Sequence, residues 1–203
     1  MTIKALSYMK QFILMIFLIC GISAFASDEP SELMKQRVQQ KVAQLNDNIS
    51  FMADKSKGTS TRNYYRKQAL NLFIERGEPY TEDGVTNSGV KMETTSLYRS
   101  KPSRKLMKDY FTGIINYRYS KVNIESTKVH EIEVSELQKI GENKYVCTAC
   151  FEQVFSGYRD GKMIYSDRTR KKVKVYVFVD ETIDRPEFIV MLGDVTALET
   201  TRL

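Results

Sequence analysis

The longest regular pattern of apolar residues runs from Pro30 to about Lys57. Apolar side chains recur there at spacings of three and four residues, which places them on one stripe of a helix: Met34, Val38, Val42, Leu45, Ile49 and Met52. Pro30 suits the first turn of this helix, and Lys57-Gly58 suits its C-terminal cap. The pattern predicts an amphipathic helix that packs on its own domain. A coiled coil is the alternative, although about three heptads barely support one.

A second helix is predicted directly after the first. Ser60 or Thr61 suits its N-terminal cap, and the apolar spacing continues to Arg76. The segment Gly77-Glu78-Pro79 then ends the helix, because glycine and proline both disfavour its continuation. Two helices therefore open the predicted domain.

The next segment is more mixed in pattern. Asp, Gly, Asn and Ser residues between Tyr80 and Gly89 predict an exposed loop, and residues 92–99 suit a short strand. A third helix is predicted over residues 100–116, because Pro102 lies near its start and apolar residues then recur in adjacent pairs.

Everything after Tyr117 is typical of β-strands. Four segments rich in branched and aromatic residues are separated by turn signals at 141–143, 160–161 and 184–186; the segments are 117–138, 144–158, 162–180 and 187–199. Long strands with such short connections form antiparallel meanders. The predicted fold class is α+β, with two or three N-terminal helices packed on a curved antiparallel meander of four to five strands.

Asp160-Gly161 is the strongest turn signal, because a type I′ turn requires positive φ at both central residues. With this two-residue turn Arg159 faces Lys162. The resulting register pairs Val146 with Val175, Cys147 with Lys174, Thr148 with Val173 and Phe151 with Arg170. A bulge of one residue would exchange the two faces beyond it.

This register divides the hairpin into two faces. One carries branched apolar side chains and is predicted to be core: Val146, Val154, Val173, Val175, Val177 and Val179. The other mixes aromatic and cationic side chains and is the candidate binding face: Tyr145, Phe151, Arg168, Arg170, Lys172, Lys174 and Tyr176. Such a face suits an anionic ligand or an acidic protein surface. A solvated sheet face, with aliphatic stems covering the rings, is the alternative.

The last strand is apolar on both sides. One side carries Phe188, Val190 and Leu192, and the other carries Ile189, Met191 and Val195. Apolar side chains on both sides favour burial, so homodimerisation through the sheet is a hypothesis.

The first 26 residues have the features of a secretory signal peptide. Lys4 and Lys10 precede an apolar run that ends at Ile22, and small residues flank the predicted cleavage between Ala26 and Ser27. The run is shorter than the roughly 20 residues that span a bilayer, which argues against an uncleaved anchor. Lipid attachment at Cys20 is disfavoured because the large Ile19 precedes it. The sequence predicts an exported protein, periplasmic or secreted, with a single mature domain over residues 27–203.

Composition limits the classes of partner. Removal of two lysines with the signal peptide lowers the formal net charge from +6 to +4. This mild excess favours solubility and gives no basis for a nucleic-acid partner. No motif in the sequence predicts a cofactor.

Cys147 and Cys150 have the C-x-x-C spacing of redox and metal sites. On a regular strand, residues three apart point to opposite faces with Cα atoms about 10 Å apart, beyond the reach of a disulfide. The sequence therefore favours two free cysteines over a disulfide across a bulge, and disfavours redox catalysis. His130 is the single histidine. It has no neighbouring acid–base partner, and too few ligands accompany the cysteines for a zinc site.

The order of elements, helices first and then a long meander, resembles the nuclear transport factor 2-like, or cystatin-like, superfamily. The resemblance covers most of residues 31–199 and rests on element order alone. It implies an exported non-enzymatic domain of the bacterial cell envelope that binds a small ligand or a protein. One alternative is a small cone-fold enzyme of lyase or isomerase type, with a pocket where tyrosine, aspartate and His130 converge. Another is a subunit of a cell-envelope or secretion assembly.

Overall fold

The computed structural model describes residues 29–82, 84–180 and 187–203. The predicted signal peptide and the turn predicted at 184–186 lie outside the described residues. The chain divides into two compact units, residues 1–34 and 35–203. Of the first unit only residues 29–34 are described, as the start of helix α1, and the other features described below belong to the second unit.

Helix α1 spans Glu29–Ala53, and its apolar stripe is buried as the spacing predicts. Five of the stripe's side chains have no exposed surface: Val38, Val42, Leu45, Ile49 and Met52. The helix ends at Ala53 rather than at the predicted Lys57. Gly58 is not its C-terminal cap and instead precedes helix α2, Thr59–Leu70.

Arg62 of α2 joins the ends of two other helices. Its Nε donates a hydrogen bond to the Met52 carbonyl at 2.9 Å, and its Nη2 donates to the Ile115 carbonyl. Both carbonyls lie in last helical turns, where no intrahelical donor is available. The prediction that α2 continues to Arg76 is wrong. A 3₁₀ turn over Ile74–Gly77 follows it, with positive φ at Glu75 and Arg76.

Short strands replace two of the predicted elements. Strands β1, Tyr80–Glu82, and β2, Val85–Asn87, form an antiparallel hairpin where a loop was expected. Strand β3, Lys91–Thr94, pairs with β4, Ser103–Leu106, and only then does helix α3, Met107–Ile115, begin. The predicted helix over 100–116 is wrong in its first part, because pairing with β3 overrides the local helix pattern.

The remaining strands continue the main sheet. They are β5 Lys121–Ser126, β6 Glu133–Val134, β7 Gln138–Gly141, β8 Lys144–Arg159, β9 Lys162–Asp180 and β10 Glu187–Arg202. The sheet order is β4-β3-β10-β9-β8-β5, and β6 and β7 also pair with β8. The pairings between these strands are antiparallel except for a parallel bridge between β3 and β10, and Phe73 forms another parallel bridge with Leu192 of β10. The predicted α+β class is confirmed, and short strands at both edges extend the meander beyond the expected four to five strands.

A bulge changes the register of the β8–β9 hairpin. Positive φ at Asp160 and Gly161 agrees with the predicted turn, and Arg159 faces Lys162. Tyr158 still pairs with Met163, but Gly157 pairs with Tyr165, so Ile164 is an extra residue. All predicted pairs beyond it are therefore wrong: Val146 faces Tyr176, Cys147 faces Val175, Thr148 faces Lys174 and Phe151 faces Lys171.

The bulge also corrects the predicted core. The inner face, defined by the buried Val173, Val175 and Val177, receives other β8 side chains than expected: Cys147, Ala149 and Phe151. Val146 and Val154, predicted as core, lie half-buried on the opposite, outer face. Among the described residues, no helix has the length and apolar character to cross a membrane.

Candidate functional site

The structure divides the candidate binding face between the two sides of the sheet. Phe151 is buried on the inner face, and Tyr145 lies on that face too. The other five lie on the outer face: Arg168, Arg170, Lys172, Lys174 and Tyr176. The extra residue Ile164 is the physical reason, because it exchanges the β8 side chains that share a face with each β9 side chain.

The outer-face residues are engaged in contacts of their own. Arg170 forms an ion pair with Glu133 at 2.6 Å, and Arg168 lies 3.7 Å from Glu152. Tyr176 is fully buried, and its hydroxyl lies 2.8 Å from both carboxylate oxygens of Glu82 in β1. Binding by this face remains a prediction.

Cys147 and Cys150 point to opposite faces of β8. Both thiols are free; Cys147 is buried on the inner face and Cys150 is half-buried on the outer face. Burial raises the pKa of Cys147 to about 11, which leaves it a thiol rather than a nucleophilic thiolate. His130 lies in a short 3₁₀ turn with its side chain 76% exposed.

A cavity of about 410 Å³ lies between α3, the segment after β3, and the inner face of β8 and β9. Its wall contains an aromatic cluster and a polar group. The aromatic cluster is Tyr117, Tyr119, Phe155 and Tyr165. The polar group is Gln153, Asp167, Thr169 and Lys171. His130 does not line this cavity.

Lys171 is the most unusual side chain of the cavity, because it is only 4% exposed. Its Nζ donates a hydrogen bond to Gln153 Oε1 at 2.8 Å and lies 3.9 Å from Met92 Sδ. The ring centroid of Tyr110 is 5.6 Å from the same nitrogen. Burial lowers the pKa of Lys171 to about 8, and the charge of Asp167 opposes this only in part. In the described part of the chain, Lys171 forms no salt bridge.

Gln153 adds a second donor beside the ammonium group. Its Oε1 is occupied by Lys171, whereas its Nε2 is buried without a hydrogen-bond partner. An amide nitrogen left unpaired in this way costs about 1–3 kcal/mol. The ammonium and the amide together form an end of the cavity that suits an acceptor atom, such as a carbonyl or carboxylate oxygen.

Asp167 supplies a carboxylate on the same face of β9, four residues before Lys171. It is 5% exposed, and its Oδ2 accepts a hydrogen bond from the Tyr165 hydroxyl. The Tyr165 oxygen also lies 3.1 Å from Ser96 Oγ, which holds the phenol in place. Burial raises the pKa of Asp167, and the Tyr165 hydrogen bond and the charges of Lys171 and Arg99 offset this only partly. Asp167 is therefore a stronger base than an exposed aspartate.

The phenols around these groups stay neutral. Burial raises the pKa of Tyr117 to about 12 and that of Tyr110 well above its usual value. Neutral phenols donate hydrogen bonds without adding charge. The arrangement thus combines a carboxylate base with a cationic donor in a largely aromatic cavity, which suits proton transfer.

The described residues offer no plausible metal centre: no three of their His, Cys, Asp and Glu side chains form a group suited to hold a metal ion. The polar group of the cavity contains one carboxylate and one ammonium, and a cation would be repelled by the latter.

The sequence prediction missed Lys171, Asp167 and Gln153. A signal was present, because Asp167, Thr169 and Lys171 alternate with the exposed positions of β9 in phase with the core valines. Strand alternation alone therefore places them on the inner face. The partner Gln153 could not be found this way, since the bulge at Ile164 decides its face.

Comparisons with known proteins find similarity to solved structures only. Neither a protein family nor a curated protein matches the chain. A candidate scytalone dehydratase from Novosphingobium aromaticivorans is 10% identical with a TM-score of 0.43, covering 86% of this chain and 91% of that one. A type 2 hexachlorocyclohexane dehydrochlorinase is 9% identical with a TM-score of 0.38, covering 85% of this chain and 93% of that one.

Proposed function

We propose that this chain is a small enzyme of lyase or isomerase type that moves a proton on a small organic substrate inside the cavity. The observation that carries the proposal is the burial of Lys171 beside the unpartnered Nε2 of Gln153. Burying an ammonium group without a carboxylate partner is costly for folding. Such a cost is typical of functional sites, where charged groups are held for chemistry.

The two ends of the polar group have complementary roles. The Asp167 carboxylate accepts a proton from a substrate C–H bond, and Tyr165 fixes its orientation. Lys171 and Gln153 Nε2 bind the oxygen on which negative charge grows as the proton leaves. Loss of a proton from the carbon next to a carbonyl group fits both roles, because the carbonyl oxygen becomes the negatively charged atom.

The cavity favours the enzyme among the functions that the sequence predicts. A non-enzymatic binding module needs no buried ammonium, and its candidate binding face is divided by the bulge. Export to the periplasm or medium, and a partner in the cell envelope, remain part of the proposal.

Deuterium exchange tests the proposal. The protein is incubated in D₂O with phenylacetone or phenylacetaldehyde, and loss of the α-proton signal is followed by NMR. We expect the protein to accelerate exchange and Asp167→Asn to slow it at least about 100-fold, since a positioned base contributes 10²–10⁴-fold.

Asp160→Asn is the matched control, because it makes the same chemical change in the β8–β9 turn, where asparagine tolerates positive φ. It should keep the wild-type rate. Exchange that is absent with both probes, or equal in Asp167→Asn and wild type, overturns the proposal.

A further inference from the structure

We propose that Lys171 acts covalently: its amine condenses with the aldehyde or ketone carbon of the substrate and holds the substrate in the cavity as an iminium ion. This inference rests on the proposed function, because it specifies the substrate class and how the carbonyl group is activated. It also goes beyond that function, since proton transfer by Asp167 needs only a hydrogen-bonded carbonyl.

The surroundings of Nζ distinguish Lys171 from a structural lysine. The groups in direct contact with it are uncharged: the Gln153 amide oxygen, the Tyr110 ring and the Met92 sulfur. The charge of Asp167 acts on it without an ion pair. By contrast, Lys174 on the outer face forms an ion pair with Glu82 at 2.8 Å, although its side chain is 41% exposed. A buried lysine kept for structure would be expected to have such a carboxylate partner.

An imine requires the neutral amine, and these surroundings provide it. Because burial lowers the pKa of Lys171 to about 8, about one-tenth of the amine is uncharged at pH 7. An exposed lysine of ordinary pKa has about one part in several thousand uncharged at the same pH. Lys171 is therefore prepared for attack on a carbonyl carbon.

The cavity has the space and the proton carriers that the step needs. Its volume of about 410 Å³ lies within the range of small-molecule sites, about 300–1,000 Å³. Asp167 lines the same cavity and can accept and return protons. Gln153 Nε2 is free to donate to the substrate oxygen while that oxygen is still present.

The atoms balance without a redox partner. The neutral Nζ forms a bond to the carbonyl carbon, and the C–O π electrons move to oxygen, which takes a proton while Nζ gives one up. The oxygen takes a second proton and leaves as water, which gives the protonated imine. Asp167 then removes the α-proton, and its electron pair moves toward the nitrogen to give an enamine. Reprotonation and hydrolysis return the free amine.

Borohydride trapping tests this step. The protein is incubated near neutral pH with phenylacetaldehyde or phenylacetone, and sodium borohydride then reduces any imine to a stable secondary amine. Peptide mapping by mass spectrometry locates the adduct. We expect the wild-type protein to carry one dominant adduct at Lys171, at least tenfold more abundant than at any other lysine.

Two variants give the comparison. Lys171→Met should lose the dominant adduct, and Lys172→Met, the adjacent exposed lysine on the outer face, should keep it. Peptide mapping of the wild-type protein decides the question even if Lys171→Met fails to fold. An adduct spread evenly over surface lysines overturns the inference.

The outcome separates the two proposals. Deuterium exchange that depends on Asp167, without an adduct at Lys171, overturns the covalent step and leaves the proposed function standing with a hydrogen-bonded carbonyl. Absence of both exchange and adduct overturns both proposals. A dominant Lys171 adduct together with Asp167-dependent exchange supports both.

Discussion

At the scale of single residues, the site depends on polar side chains at positions of β9 where strand alternation predicts apolar ones. Lys171 continues the alternation of Val173 and Val175 on the inner face, and like them it is buried. Its burial should be measurable as a dependence of stability on pH. Tyr110 of α3 and Gln153 of β8 contact its Nζ, and Asp167 of β9 acts on it through its charge.

The direction of this pH dependence follows from the pKa of Lys171. That pKa is about 8 in the folded protein, against 10.5 for an exposed lysine. Between these values the unfolded chain binds more protons than the folded one, so this group makes stability rise with pH. We expect the unfolding free energy of the wild type, relative to Lys171→Met, to increase by roughly 2 kcal/mol from about pH 7 to about pH 10.

Denaturant unfolding of both proteins at both pH values measures this difference. Ionisation of the buried tyrosines acts in the opposite direction, but it is present in both proteins and largely cancels in the comparison. A difference that stays constant, or that falls with pH, would mean that Lys171 is solvated rather than buried.

At the scale of elements, the β8–β9 hairpin contains one feature that the sequence predicts, its turn, and one that it does not, its bulge. The turn at Asp160-Gly161 is readable because few residues tolerate its backbone angles. The extra residue Ile164, three positions further on, has no such signature. A bulge is stabilised by contacts on both sides of the sheet, so it depends on long-range packing. It decided which side chains of β8 lie opposite Lys171.

The carboxylate of Glu82 in β1 helps to hold the β1–β2 hairpin to the outer face of the sheet. Glu82 accepts hydrogen bonds from Lys174 and Tyr176, each at 2.8 Å. Burial raises the pKa of Glu82, but these hydrogen bonds outweigh it, and the net pKa is lowered. The stabilisation is therefore present above the unfolded pKa and is lost as pH falls through the lowered folded value.

Glu82→Gln should lower the unfolding free energy by about 1–2 kcal/mol at neutral pH, mainly through the buried hydroxyl of Tyr176. The loss should shrink as pH falls through the lowered folded pKa of Glu82, because the carboxylate then becomes protonated in both states. Urea unfolding at a series of pH values from neutral downward measures it. Glu136→Gln is the control, because its ion pair with Lys35 is exposed and should contribute less than about 0.5 kcal/mol. Equal effects of the two substitutions would contradict this role of Glu82.

At the scale of the whole molecule, the periodic spacing of apolar residues predicted the fold class but not the residues of the site. The α1 stripe and the strand pattern after Tyr117 are local features, and they predicted an α+β domain. The cavity combines α3 with distant strands, and its members Tyr110, Gln153 and Lys171 are far apart in sequence. Their proximity depends on tertiary packing that no local pattern encodes.

Export is the prediction that concerns the entire chain. Expressed with its first 26 residues in a Gram-negative host, the protein should be recovered from the periplasm or medium with Ser27 at its N-terminus, because small residues precede that position. N-terminal sequencing of the recovered protein measures this. A full-length chain that stays with the membrane or in the cytoplasm would contradict it.

Gly113 allows a test of whether the chemistry takes place in the cavity, without the removal of a polar group. Gly113 lies in α3 and lines the cavity. A Cβ added to it would have no neighbouring atom within 4 Å. Gly113→Leu should therefore fill cavity space while the fold, Asp167 and Lys171 stay in place. The decisive measurement is the rate of α-proton exchange in phenylacetone by this variant and the wild type. We expect at least a tenfold slower rate in the folded variant. Equal rates, or no exchange by the wild type, would mean that the chemistry does not take place in this cavity.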